Sequence, residues 1–490
     1  MALLLLGQLW EKLKTSARSD VTRGLWKTCL RASQLKYNRT RLEVALLLYF
    51  SLGNNLTAKR EKQSMRANFS IRFAAVPAII VAIAQVAIVL MISGRAEAQS
   101  LTVLHSFNNN GSDGSYPYGG VIFDAKGNLY GTTVEGGRYD LGIAFELLPA
   151  TGEKWKERVL HSFGGGSDGA SPNAALTVDS SGNLYGTTFS GGNAGVGSVF
   201  ELTLKASGAW KETVLLNFGS GSAAYPAAPL IMDAAGNLYG TTVGYNLNGA
   251  VFELVKVNGA WTEQDLHIFD YSQGDGGQPY APVVLDAKGN LYGTTRIGPG
   301  PEYDDGIVFQ LVPNQTGPWT ENVLEEFVGG VAGFTPYAGV VLDTAGNLYG
   351  ANYDGGQGKG GGTVFKLTPE PDGRRTKETV LHSFPKTYLD GANPAFAPVF
   401  DGKGNLYGTT SIGGSGACTE FGVVVGCGVV YELSPAAGGW TETILYSFDN
   451  NGTDPYFPSS GLTLDVVGNL YGTTSAGGAY GAGSVFEIRR

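Results

Sequence analysis

The sequence predicts an all-β chain: a seven-bladed β-propeller of four-stranded blades, closed by an N-terminal outer strand that completes the last blade. Three observations predict it. The phrase G-N-L-Y-G begins at Gly127, Gly182, Gly236, Gly289, Gly346, Gly404 and Gly468. Glycine contributes 74 of 490 residues, among many Thr, Tyr, Phe and Val, which is the composition of short strands joined by tight turns. Finally, "QSLTVLHSF" at 99–107 has the form of an outer strand, while the seventh repeat ends on "GSVFEIRR" with no outer strand of its own.

The segment ahead of the repeats has a different chemistry. Residues 1–98 hold 15 of the 34 Lys and Arg but 5 of the 43 Asp and Glu, leaving 19 basic against 38 acidic residues in 99–490. An acidic body argues against nucleic acid and against an anionic membrane surface as partners. Met65 opens a self-contained signal: Arg66 and Arg72 are its basic region, Ala78 to Ile92 is an apolar run broken only by Gln85, and Ala96-Glu97-Ala98 supplies small residues for cleavage. Residues 65–98 are therefore expected to be a signal peptide cut after Ala98, and the protein to be secreted, periplasmic or at the cell surface. An uncleaved anchor is the alternative, since the apolar stretch from Phe73 is just long enough to span a bilayer, and only then would a membrane be a partner. Residues 1–64 read as an extension produced by a start codon placed too early, with a genuine cytoplasmic extension ahead of an anchor as the alternative. Cys29 falls in that extension. Cys418 and Cys427 remain in 99–490, and in an oxidising compartment such a pair reads as a disulfide closing a short loop.

The repeats themselves follow in order from 99 to 490. A proline stands ten residues before each G-N-L-Y-G glycine (Pro117, Pro172, Pro226, Pro279, Pro336, Pro394, Pro458), and an aspartate seven after each proline (Asp124, Asp179, Asp233, Asp286, Asp343, Asp401, Asp465). This register never slips, so length variation is confined to loops. Each unit then reads as an apolar inner strand such as "GVIFD", a D-x-x-G-N turn, "LYGTT", a glycine-rich loop, a "SVFEL" strand and a "WKETVLLNF" strand. The turn has a local reason: Asp accepts backbone N–H bonds, and Gly takes a positive φ. Seven units of this size, each of four strands, make a seven-bladed ring. The mix of large Leu and Tyr with small Gly and Thr in "LYGTT" suits strands buried on both faces.

D-x-x-G-N-L-Y-G-T-T…G-G…G-x-V-F-E-L resembles the GloVer-type tandem repeat of bacterial exported proteins and, more distantly, NHL-type propellers. The resemblance covers essentially all of 101–488. It implies an exported bacterial propeller of no assigned activity.

Repetition also filters the candidate sites, because a residue present in every unit serves the blade. The turn aspartates are expected to be structural, and Trp155, Trp210, Trp261, Trp319 and Trp440 to be packing residues, with Gln99 and Thr376 in the other two places. His105, His161, His267 and His382 share one outer-strand position and are expected to stand apart around the rim, so no catalytic residues are assigned. A less uniform feature is the aspartate four residues before the proline: Asp113, Asp168, Asp275, Asp390 and Asp454. The loops on the same face add Glu135, Asp140, Glu302, Asp304, Asp305 and Asp354, interleaved with Tyr116, Tyr118, Tyr139, Tyr280, Tyr303, Tyr337, Tyr353 and Tyr480. Carboxylates beside exposed aromatics suit sugars, and they also suit Ca²⁺, which takes oxygen ligands. The expectation is a monomeric, non-enzymatic binding module for a glycan or a protein, without a cofactor or at most with Ca²⁺. A hydrolase, lactonase or lyase with a central divalent ion is the alternative.

Overall fold

The computed structural model describes residues 99–490 apart from 151–153, 220, 222, 246–247, 299–304, 315–316, 358–359, 371–375, 386, 388–389 and 421. The expected signal peptide with its cleavage point at Ala98, the extension 1–64, and the candidates Glu302, Tyr303 and Asp304 lie outside the described residues. No helix among the described residues is long and apolar enough to cross a membrane.

Seven four-stranded antiparallel sheets follow one another along the chain. In blade 1 the strands are Ile122–Phe123, Leu129–Thr133, Ile143–Ala150 and Lys154–Ser162. The seventh blade takes Thr463–Leu464, Leu470–Gly477 and Ser484–Arg489 from the C-terminus and Ser100–Ser106 from the other end of the described chain. Leu101 pairs with Ile488 and His105 with Val485, which is the closure the sequence predicts. The pairing covers the sheet edge that the last blade would otherwise expose.

Each repeated phrase has a visible physical cause. In blade 1, Asp124 Oδ1 accepts from the backbone N–H of Lys126 (2.8 Å) and Asn128 (2.9 Å). Its Oδ2 accepts from Asn128 Nδ2 (2.9 Å) and the Tyr130 hydroxyl (3.2 Å). Gly127 sits at φ 84°, a conformation that a β-carbon resists. The glycine of L-Y-G has a different role. A β-carbon on Gly240 would lie 2.5 Å from the Phe252 ring of the adjacent strand, so that ring can lie flat on the sheet only over a glycine. The first threonine ties blades together: Thr132 Oγ1 donates to the Ala174 carbonyl of blade 2 (2.8 Å), and Thr473 donates to Gly119 across the closure (3.2 Å).

The outer strand carries a one-residue bulge in every blade. In blade 1, Ala144 pairs with His161 and Phe145 with Val159, leaving Leu160 unpaired. The same shift leaves Leu104, Leu215, Leu266, Leu324, Leu381 and Leu445 unpaired in the other blades. Trp155, Glu157 and Val159 alternate onto one face, as a strand requires. Without the bulge, His161 would join them; with it, His161 faces the next blade.

The tryptophans pack as expected. Trp210, Trp261, Trp319 and Trp440 stand edge-on to Tyr130, Tyr185, Tyr239 and Tyr349 of the preceding blade, 6.1–6.4 Å between ring centroids. Blade 7 offers Gln99 instead, and there the Arg490 guanidinium stacks over Tyr407 at 4.3 Å. At the junction of blades 4 and 5 the place is taken by Thr376. Tyr292 is left half-buried there beside a cleft of about 630 Å³. In blade 6, Cys418 and Cys427 form a disulfide with Cα atoms 5.0 Å apart. It braces a small hairpin of Thr419–Glu420 against Val423–Val424, whose valines are exposed.

Candidate functional site

Two constellations arise from this frame, one at the ring axis and one between blades. The residue before each repeat proline adopts a positive φ of 54–60°: Tyr116, Ser171, Tyr225, Gln278, Thr335, Asn393 and Phe457. A residue preceding proline normally avoids helical regions, so this is a strained geometry held by its surroundings. Hydrogen bonds hold it. The N–H of Tyr225 donates to Val196 O of the preceding blade (2.8 Å), and its carbonyl accepts from Val243 N (3.1 Å). The frame repeats seven times, but the side chains on it vary from blade to blade.

The same holds for the residue after the proline and for the residue following the second strand. Together these positions present Tyr118, Tyr280, Tyr337, Phe189 and Tyr353 beside Asn173, Ser171, Gln278 and Ser459. All but Gln278 and Tyr353 line a cavity of about 600 Å³ at the centre of the ring, to which all seven blades contribute, mainly through the residues ahead of the inner strand. Below the mouth the walls are Gly, Ala, Pro and short aliphatics. Among its described lining residues there is no Asp, Glu, His, Lys, Arg or Cys.

The aromatic side chains meet in two groups. Tyr280 and Tyr337 are 5.5 Å apart, Tyr337 and Tyr353 5.4 Å, and Phe189 and Tyr225 5.2 Å. The Arg296 guanidinium lies over Tyr337 at 5.3 Å and donates to Gln278 Oε1 at 2.9 Å. Burial raises the pKa of the Tyr118 and Tyr280 phenols, so both remain neutral donors.

The second constellation is where the loop aspartates go. Asp113, only 4% exposed, accepts from His105 Nε2 (3.3 Å) and from the backbone N–H of Asn108 and Gly114. Asp168 meets His161 at 2.8 Å, Asp275 meets His267 at 3.1 Å, and Asp454 accepts from Tyr446 at 3.3 Å. Asp390 acts electrostatically on both His382 and Glu442. Thus the histidines stand apart from one another, as expected, but each faces an aspartate and a glutamate of the next blade. Those glutamates were not candidates from sequence. Their signal is W-x-E, which puts Glu157, Glu212, Glu321 and Glu442 on the face turned toward the preceding blade.

These glutamates resist ionisation. Burial, followed by the neighbouring aspartate, raises Glu157 and Glu212 to about 7, Glu442 to about 8 and Glu321 to about 9. For Asp275, burial acts upward but is outweighed by bonds from His267 and Glu321, which bring it down to about 2.

The remaining predicted residues are dispersed. Tyr116, Tyr139 and Tyr480 are exposed, with Tyr139 under the Arg138 guanidinium and away from the cavity lining. Asp140 accepts from Gly136 N (3.0 Å), Glu135 pairs with Ser115, and Asp354 lies 3.4 Å from Asn393 Nδ2. Asp305 is half-buried. So the structure gathers Tyr118, Tyr280 and Tyr337 at the mouth, and sends Asp113, Asp168 and Asp275 to the blade junctions.

With fold and sites in view, comparison with known proteins is informative. The repeat signature of the Gloeobacter/Verrucomicrobia repeat family matches residues 92–274 and 243–486. The chain belongs to that family. No curated protein matches it. Among solved structures, it is similar to a Bacteroides uniformis protein whose assignment as a 6-phosphogluconolactonase is itself provisional (15% identity, TM-score 0.43, covering 67% of this chain and 84% of that one). It is also similar to a protein of unknown function from Dyadobacter fermentans (12% identity, TM-score 0.37, covering 80% and 100%). Likeness at this level carries no chemistry from either protein to this chain.

Proposed function

We propose that this propeller is an exported, non-enzymatic binding module that takes a carbohydrate chain at the mouth of its central cavity. One observation carries the reading: a seven-fold backbone frame presents aromatic and neutral polar side chains that vary from blade to blade, around a cavity with no carboxylate, imidazole or amine among its described lining residues. Sugar rings stack their C–H faces on aromatic rings, and their hydroxyls take bonds from amide and hydroxyl side chains. Tyr280, Tyr337 and Phe189 supply the first kind of contact; Asn173 and Ser171 supply the second. A cavity of about 600 Å³ falls in the range that encloses small ligands, so it fits a chain end of a few sugars better than a folded domain. The buried Cys418–Cys427 disulfide fits an oxidising compartment. The reading is tested by a glycan array probed with the purified protein. A family of related glycans is expected to bind. An array without hits, together with binding of a protein partner to the same face, would replace the carbohydrate by a polypeptide.

A further inference from the structure

Two of the blade junctions bring a histidine, an aspartate and a glutamate to one point. At the junction of blades 7 and 1 they are His105, Asp113 and Glu157; at that of blades 3 and 4 they are His267, Asp275 and Glu321. In each set one ligand-type atom per residue lies within 4.8 Å of the other two. We propose that each set is a binding site for a divalent cation of the zinc class, held by one imidazole nitrogen and two carboxylates.

The geometry is that of a ligand cage. Ligand atoms about 2.0–2.1 Å from a tetrahedral zinc are separated from one another by about 3.3 Å. His105 Nε2 and Asp113 Oδ1 are 3.3 Å apart. His267 Nε2 lies 3.1 Å from Asp275 and 3.9 Å from Glu321. The aspartates are oriented by the chain itself: Asn108 and Gly114 N–H bond to Asp113, and Asp270 N–H bonds to Asp275. Such outer partners fix the lone pairs that a metal uses.

Glu157 Oε1 and Glu321 Oε1 are enclosed and have no hydrogen-bond partner among the described residues, as have the equivalent oxygens of Glu212, Glu263, Glu378 and Glu442. What singles out these two sets is that a histidine and an aspartate atom lie within reach of the glutamate. A buried carboxyl oxygen without a partner is costly, and a cation at the centre of the set supplies one. The nitrogen ligand favours zinc, cobalt or nickel over Ca²⁺, which prefers six or more oxygens. The other two His-containing junctions, with Asp168 and Glu212 or with Asp390 and Glu442, do not bring three such atoms together and serve as internal controls.

The position gives the cation a role. His105 lies on the strand that closes the ring, while Asp113 and Glu157 belong to the crossing and to blade 1, so one ion would lock the closure.

The test is equilibrium dialysis of tag-free, EDTA-stripped protein against Zn²⁺, with elemental analysis of the retained metal. Two zinc per chain are expected, one in Glu157→Gln or Glu321→Gln, none in the double variant, and two in Glu212→Gln. Cobalt loading of the wild type should give the visible bands of a four-coordinate ion, which keeps the proposal testable where a variant misfolds. Absence of retained zinc in the wild type would overturn it. So would two zinc retained unchanged in the folded double variant.

Discussion

Asp179 fixes a whole turn with one side chain. Its carboxylate accepts from Ser181 N, Asn183 N, Asn183 Nδ2 and, at 3.3 Å, the Tyr185 hydroxyl. Removing it leaves those donors to find water, so Asp179→Ala is expected to cost about 2 kcal/mol in urea unfolding; an unchanged midpoint would show the turn to be held by its glycine alone. The buried glutamates act in the opposite sense with pH. In the unfolded chain they ionise near 4.5, but in the fold Glu157 and Glu212 ionise near 7 and Glu321 near 9. A carboxyl group whose pKa is raised in the fold stabilises it fully below the unfolded pKa and loses that contribution as pH climbs through the folded pKa. The metal-free protein should therefore unfold at higher urea concentration at about pH 5 than at about pH 9. Equal midpoints, or a higher one at the alkaline end, would show that these glutamates ionise normally. The turn role of the aspartates was legible in sequence because the partners lie within six residues. The role of Glu157 was not, because its partners, His105 and Asp113, lie far off in sequence and meet it only when two blades pack.

At the scale of elements, every strand type was legible because its signal is local and repeated. The bulge was not, since a leucine in an alternating strand gives no sign of being unpaired. Yet Leu160 and its counterparts decide which face His161 and its counterparts occupy, and so whether a histidine meets a glutamate at all. The loop of blade 6 illustrates the reverse case. Its paired cysteines were visible, and the bond and small hairpin follow. Replacing both with serine should free this loop, raising hydrogen exchange at 418–427. By the chain-entropy model a loop of about ten residues contributes roughly 2.5–3 kcal/mol. Because the hairpin stands outside the seven sheets, the ring should stay folded, with an unchanged circular dichroism spectrum. Collapse of the ring would mean that this loop supports blade 6.

For the whole molecule, symmetry separates scaffold from site. Turn aspartates, L-Y-G glycines and interblade threonines recur because each blade needs them. Tyr118, Tyr280 and Tyr337 share one backbone position in three of the seven blades, and Phe189 and Arg296 share another, each in a single blade. The sequence displayed these residues as variable letters in matched repeats, but their convergence on one cavity depends on closing the ring through Ser100–Ser106. The central claim, that this mouth takes a carbohydrate chain, is tested most directly by calorimetric titration of the best glycan from the array into wild type, Tyr280→Ala/Tyr337→Ala and Tyr139→Ala. Stacking on an aromatic ring is worth about 1–3 kcal/mol by the measure of bases on aromatic side chains. The double variant is therefore expected to lose at least about tenfold in affinity, while Tyr139→Ala, outside the cavity, binds as wild type does. Undiminished binding by the double variant, or loss in Tyr139→Ala instead, would place the site elsewhere on the propeller and contradict the account.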